Sequence, residues 1–131
     1  MTLLLLLNTV QYVATSFALV AAFIVIYTLC TPTNEIKLIR QGNLTAAFEL
    51  GGALIGFTLP LAVLISNASG LLDLVAWSGV ALVLQLFVFY MMTLLLGHVG
   101  RRITDDQAAT GVLLGAAAVA GGVINAVCLL P

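Results

Sequence analysis

The sequence predicts an all-α membrane protein with four transmembrane helices, and its composition is the first reason. Of its 131 residues 63% are hydrophobic and 7% are charged, and the mean hydropathy is +1.24. These values exclude an ordinary soluble domain. The second reason is that four apolar stretches each reach the length of about 20 residues that crosses the hydrocarbon core of a bilayer. A net charge of −1 leaves no basic surface for nucleic acid.

Polar and helix-breaking residues separate the apolar stretches of what is predicted to be a single domain, residues 1–131. The first span ends before Pro32, and Asn34 is placed to cap a short amphipathic helix. Ile36 and Ile39 share one face of that helix. The predicted spans are residues 8–30, 44–65, 71–96 and 108–130, and the short amphipathic helix is 34–41.

Polar residues also mark the starts of the later spans. Asn43 or Thr45 is placed to cap the second span. Asp73 stands in the first turn of the third span, where the helix dipole favours a carboxylate. We expect Asp105 or Asp106 to cap the fourth span.

The basic residues predict how the spans are oriented. All four lie in the loop after the first span or the loop after the third, namely Lys37, Arg40, Arg101 and Arg102. Because basic loops stay on the cytoplasmic side, both of these loops are predicted to be cytoplasmic and both termini periplasmic. The four spans then form two out-in-out hairpins.

The two hairpins also indicate an internal repeat. A shift of 64 residues aligns Gly51 with Gly115 and Ile39 with Ile103. Since both halves would have the same orientation, the repeat would be parallel, with its axis along the membrane normal.

Small and polar residues form a narrow face, here called the seam, on each span. In the fourth span the seam residues recur every three or four positions: Gly111, Gly115, Ala118, Gly122 and Asn125. The second span contributes Glu49, Gly52, Gly56 and Pro60, the third Ser78 and Gln85, and the first Gln11, Thr15, Ala18 and Ala22. The seams either pack helices together or line a polar path. Gln85 is correspondingly either a helix-to-helix hydrogen bond or a pore residue.

Glu49 is an acid within an apolar span. It lies only about 7 Å along its helix, at 1.5 Å per residue. One interpretation is structural, with the carboxylate reaching water or pairing with Lys37 or Arg40. The other is functional, because acids inside membranes often mark ion pathways. The sequence holds no nucleophile–base pair, phosphate loop or metal-ligand cluster, so no catalytic residue, metal, cofactor or enzyme activity is predicted.

Four stretches of the chain carry a family resemblance: TPTNEIKLIRQGNLTAA at 31–47, GALIGFTLPL at 52–61, AWSGVALVLQLFVF at 76–89 and GAAAVAGGVINAVC at 115–128. Together they resemble the YjfL-type family of small bacterial inner-membrane proteins, a domain of unknown function. The resemblance implies a multi-pass protein of the bacterial inner (plasma) membrane that forms a homo-oligomer and has no assigned activity. It also implies a link to envelope-stress or polyamine-related partners.

Three functions follow as hypotheses. The leading one is an oligomeric channel or transporter-like path for ions or small solutes, with these path or helix-contact residues: Glu49, Gly52, Gly56, Pro60, Gln85, Gly115, Gly122 and Asn125. The alternative is a scaffold in the lipid bilayer that recruits a cytoplasmic protein through loop residues Asn34, Glu35, Lys37, Arg40, Asn43, Arg101 and Arg102. The third is a proton-coupled small multidrug exporter, although such proteins carry their acid in the first span.

Overall fold

The computed structural model describes residues 2–67 and 69–131, which contain six helices and no strand. Four of the helices are long and apolar enough to span a membrane. The turn predicted between the second and third spans includes Ala68, which lies outside the described residues. The helices are α1 Thr2–Cys30, α2 Glu35–Arg40, α3 Leu44–Asn67, α4 Leu71–Leu96, α5 Val99–Thr104 and α6 Ala108–Cys128.

One helix bound and one additional short helix depart from the sequence-based expectation. Helix α1 begins at Thr2, ahead of the expected residue 8, because the leucine run before Asn8 continues the helix. Residues 99–104 form the short helix α5, where we expected only a basic loop. The helix starts after His98, whose backbone is left-handed with φ of 52°. Buried Val99 and Ile103, one turn apart, attach it to the bundle.

Helices α3 and α6 form the most extensive contact of the bundle. They run in the same direction, because Thr45 lies beside Gly111 near their starts and Gly56 lies beside Gly122 further along. A side chain built at Gly122 would overlap the backbone of Gly56. The glycines therefore bring the two backbones into direct contact, which is how small residues pack helices in membranes.

Helix α1 packs against the bundle mainly through its second half. Its buried residues are Phe23 and Tyr27, and its outer surface is exposed along most of its length. Three of the four predicted seam residues of this span, Gln11, Ala18 and Ala22, are exposed, so they do not pack within one copy of the chain. The aromatic rings bury more apolar area, and their face turns inward.

The short helices α2 and α5 lie at the same end of the bundle. Asn43 follows α2, and its side chain donates a hydrogen bond of 2.7 Å to the carbonyl of Ile103 in α5. This hydrogen bond joins the two segments. Asp106 accepts from the Thr45 backbone N–H at 2.9 Å and so caps α3. The expectation that an aspartate caps the fourth span is therefore wrong: Gln107 precedes α6 without a side-chain cap. All four basic side chains belong to α2 and α5.

Candidate functional site

Glu49 lies inside the bundle at the contact between α1 and α3. The Tyr27 hydroxyl donates a hydrogen bond of 3.1 Å to its Oε1. The carboxyl group is only 1% exposed, so it does not reach water. Nor does it pair with Lys37 or Arg40, whose side chains are exposed. The structural interpretation offered by the sequence, an acid at the surface or in an ion pair, is wrong.

Glu35 is the second acid of the site and the first residue of α2. Asn34 caps this helix by accepting from the Lys37 N–H at 3.2 Å, and the capped turn points Glu35 into the bundle. Its Oε1 accepts from the Thr31 hydroxyl at 2.5 Å and from the Thr33 hydroxyl at 3.3 Å. Burial removes the carboxylate from water and raises its pKa above the ordinary 4.5, against the opposing effect of the Thr31 hydrogen bond.

The two carboxyl groups lie within hydrogen-bonding range of each other. Among the described residues, no basic side chain is one of the main groups that interact with either carboxyl group. The second oxygen of each, Glu35 Oε2 and Glu49 Oε2, is buried without a donor. Burying acids in this way is unfavourable, because a buried carboxylate normally has a cation or several donors. We call these two residues the carboxyl pair.

Aromatic rings pack around Tyr27, the hydroxyl donor to Glu49. Phe23 stacks on Phe57 with ring centroids 4.4 Å apart, and Phe89 meets Tyr27 edge-on at 5.9 Å. These rings are nearly fully buried. The Tyr27 side of the pair is therefore apolar, and charges there interact through a medium of low dielectric constant.

The structure divides the predicted path residues between two places. Gly52, Gly56, Gly115 and Gly122 lie in the α3–α6 contact, and the Gln85 amide donates to the Ala118 carbonyl at 3.1 Å beside it. Pro60 is buried in α3 and Asn125 is half-buried in α6. Glu49 lies apart, on the side of α3 that faces α1.

The predicted loop residues divide in a similar way. Asn34, Lys37, Arg40 and Arg101 are exposed. Arg102 is half-buried and its Nε donates to the Gly97 carbonyl at 3.0 Å. Glu35 is fully buried and Asn43 is 8% exposed, so these two side chains present no surface to a cytoplasmic protein, contrary to expectation.

Tyr27, Thr31 and Thr33 were not predicted as site residues, and Glu35 was predicted to lie on a cytoplasmic loop surface. A signal for the first was available, because Phe23 and Tyr27 stand four residues apart near the end of the first span. The spacing of Thr31, Thr33 and Glu35 gives no such signal, because their meeting depends on how the chain turns between α1 and α2.

Comparison with known proteins gives consistent results. The family model described as Domain of Unknown Function (DUF350) matches residues 1–129. The chain is 39% identical over 112 residues to the UPF0719 inner membrane protein YjfL of Escherichia coli strain K12, covering 86% of this chain and 85% of the relative. The protein of the same name from Escherichia coli O157:H7 gives the same values. No solved structure gave a significant match.

These matches confirm the family resemblance seen in the sequence. The relatives are named inner membrane proteins, and the four apolar helices are those of a multi-pass protein. The chain therefore belongs to the DUF350 family and is an integral protein of the inner membrane, with four apolar helices in its described residues and a buried carboxyl pair formed between α2 and α3.

Proposed function

We propose that the protein forms a path for ions or small solutes across the inner membrane. The observation that carries this proposal is the carboxyl pair, Glu35 and Glu49, buried together without a basic partner in the described part of the chain. Ionisable groups at membrane depth are costly to stability, and they are found where ions or protons cross. If these two residues only packed helices together, apolar side chains of the same volume would stabilise the bundle as well or better.

The path would run on the α1 side of α3, not through the α3–α6 contact. A Cβ atom on Gly52 would overlap the backbone of Gly115, so no solute passes between those two helices. On the other side, α1 buries Phe23 and Tyr27 and leaves much of its remaining surface exposed. A modest movement of α1 would open the carboxyl pair without breaking the glycine contact.

A homo-oligomer is part of this proposal. Asn8 and Gln11 are exposed on α1, where lipid would otherwise surround their amide groups. Such side chains associate helices in membranes by hydrogen bonding to a second copy. We expect N8L/Q11L to reduce the mass of the particle measured in nanodiscs by native mass spectrometry, whereas V10L at an exposed apolar position leaves it unchanged. An unchanged mass in both variants would contradict this contact.

We further propose that the helices form two out-in-out hairpins related as a parallel repeat. Helix α5 lies 64 residues after α2 and has the same six-residue length, and α6 begins 64 residues after α3. The basic residues of α2 and α5 would make their end of the bundle cytoplasmic and put both termini in the periplasm.

The two free cysteines allow a direct test of this orientation. Cys30 ends α1 beside the basic end of the bundle, Cys128 ends α6, and both are exposed. A membrane-impermeant maleimide added to intact spheroplasts should label Cys128 and leave Cys30 unlabelled until the cells are permeabilised, with C30S and C128S assigning the signals. The reverse pattern would contradict the orientation.

The path itself is tested in proteoliposomes. We expect wild-type protein to dissipate a gradient of protons or of a small cation, and E49Q to lose most of that flux. D105N is the matched control, because Asp105 carries the same charge on an exposed turn. Equal flux in wild-type and protein-free liposomes, or equal flux in E49Q and D105N, would reject the proposal.

A second candidate function is a scaffold for a cytoplasmic protein, including an envelope-stress or polyamine-related one. It is favoured by the exposure of Asn34, Lys37, Arg40 and Arg101 at one end of the bundle. For this function K37E/R40E should abolish binding of the partner while E49Q leaves it intact. The opposite result would reject the scaffold.

A further inference from the structure

Each carboxyl group of the pair has hydrogen-bond donors at one of its two oxygens only. Tyr27 donates to Glu49 Oε1 at 3.1 Å, and Thr31 donates to Glu35 Oε1 at 2.5 Å. Glu35 Oε2 and Glu49 Oε2 are buried without a donor, yet the carboxyl groups are within hydrogen-bonding range of each other. Two carboxylates are acceptors only, so a hydrogen bond between them requires one proton.

The surroundings supply no other neutralising charge. The titratable groups acting at the pair are Tyr27 from α1, Glu35 from α2 and Glu49 from α3, and Tyr90 of α4 acts on Tyr27. None of these groups carries a positive charge, and Lys37 is exposed. Two ionised carboxylates here would repel each other in a medium of low dielectric constant, and one proton halves their charge.

We propose that Glu35 and Glu49 form a site for a single proton, shared between their two Oε2 atoms, and that this proton is the ion carried or coupled by the path. The second part rests on the function proposed above. When the proton leaves, it goes to water and two carboxylates remain. Their repulsion acts between α2 and α3, so release of the proton favours movement of the short helix α2 away from the bundle.

Infrared difference spectroscopy tests the site directly. Protein in lipid is titrated with alkali, and the carbonyl stretch of a protonated carboxylic acid is followed as it converts to that of a carboxylate. We expect a titrating acid band in wild-type protein, and in both E35Q and E49Q a change in its frequency and in the pH at which it converts. Both variants change the same band because one proton belongs to both residues, and the single carboxyl group that remains titrates alone. D105N, on an exposed turn, should retain the wild-type band.

Two further measurements test whether the two carboxyl groups share one ion and whether that ion is a proton. Y27F keeps both acids and removes only the hydroxyl donor to Glu49, so the band should shift in frequency, whereas Y12F should leave it unshifted because Tyr12 makes no hydrogen bond to the pair. A band with unchanged frequency and unchanged midpoint pH in either E35Q or E49Q would overturn the shared site. Loss of the wild-type band on adding sodium chloride in place of choline chloride at constant pH would overturn the assignment to a proton.

The two parts can fail separately. A titrating band with no flux in proteoliposomes would leave the proton site standing and reject the path. Flux without the band would reject the proton site and leave the path standing.

Discussion

The α3–α6 contact and the carboxyl pair use opposite means of burying polar groups in a membrane protein. In the contact, glycines let two backbones meet, and the polar Gln85 amide finds the Ala118 carbonyl at 3.1 Å. At the carboxyl pair, two acids are fully enclosed, and one oxygen of each has no donor. The first region is close-packed and electrically neutral, whereas the second buries two ionisable groups whose negative charges would repel each other.

The difference separates what holds the bundle together from what gives it chemistry. Close packing of small residues stabilises helix pairs in lipid, where no hydrophobic effect drives them together. An acid pair contributes little to such stability and responds to pH. Variants in the contact should therefore change stability at all pH values, and variants in the pair should change how stability depends on pH.

The largest effect on stability is expected from adding one methyl group to the glycine contact. In G122A the new Cβ would overlap the backbone of Gly56. A packed backbone cannot move aside as the end of a flexible side chain can. We expect a loss of about 1–3 kcal/mol, the usual range for overpacking. Thermal unfolding in detergent measures it.

G51A is the matched control for G122A. A Cβ atom at Gly51 meets nothing within 4 Å. Alanine is the better helix former by up to about 1 kcal/mol, so this variant should be unchanged or more stable. Equal destabilisation in both variants would contradict the account of the contact.

The next effect concerns the pH dependence that Glu35 gives to stability. Its pKa is raised in the folded protein by burial. The folded state therefore binds the proton more tightly than the unfolded state, and the contribution is fully present below the ordinary value of 4.5. It is lost as the pH rises through the folded pKa. Stability should fall with rising pH in wild-type protein and fall less in E35Q, while D105N keeps the wild-type slope.

A smaller effect is expected from Q85L, which removes the hydrogen bond between α4 and α6. Interhelical hydrogen bonds of this kind contribute about 0.6 kcal/mol on average and up to about 1.7 kcal/mol. Q41L, at an exposed position outside the spans, should not change stability. A Q85L protein as stable as Q41L would show that this hydrogen bond does not stabilise the bundle.

The smallest effect is expected at the cap of α3. Asp106 is exposed, and its pKa is lowered by hydrogen bonds from the Thr45 backbone and hydroxyl. Its contribution is present above the ordinary pKa and is lost as the pH falls through the folded value. D106N keeps a residue that tolerates the left-handed φ of 56°. We expect a slightly lower unfolding temperature at neutral pH that converges with wild type in acid.

The sequence was sufficient to predict the four apolar helices and the residues of the glycine contact. Gly115 and Gly122 share a helix face because their spacing of seven residues is close to two turns, and this is a local property. The sequence left open whether such a face packs or lines a path. A Cβ atom built on Gly52 would overlap the backbone of Gly115, so within one copy of the chain this face packs two helices together.

The carboxyl pair could not be predicted, because its two members come from different helices. Glu35 at the start of a helix is what the helix dipole favours on a solvated surface as well, so its burial leaves no trace in the local pattern. Only the turn through Thr31 and Thr33 brings it to Glu49. The same applies to Asp106, which caps α3 across a separation of 61 residues rather than its own helix.

The central claim is that Glu35 and Glu49 act as one unit, and a double-mutant cycle on the free energy of unfolding tests it most directly. If the carboxyl groups share a proton, the effects of E35Q and E49Q will not add in E35Q/E49Q, and the coupling will lie in the range of about 0.5–3 kcal/mol seen for residues in contact. Additivity within about 0.3–0.5 kcal/mol at neutral pH would show two independent acids and contradict the account.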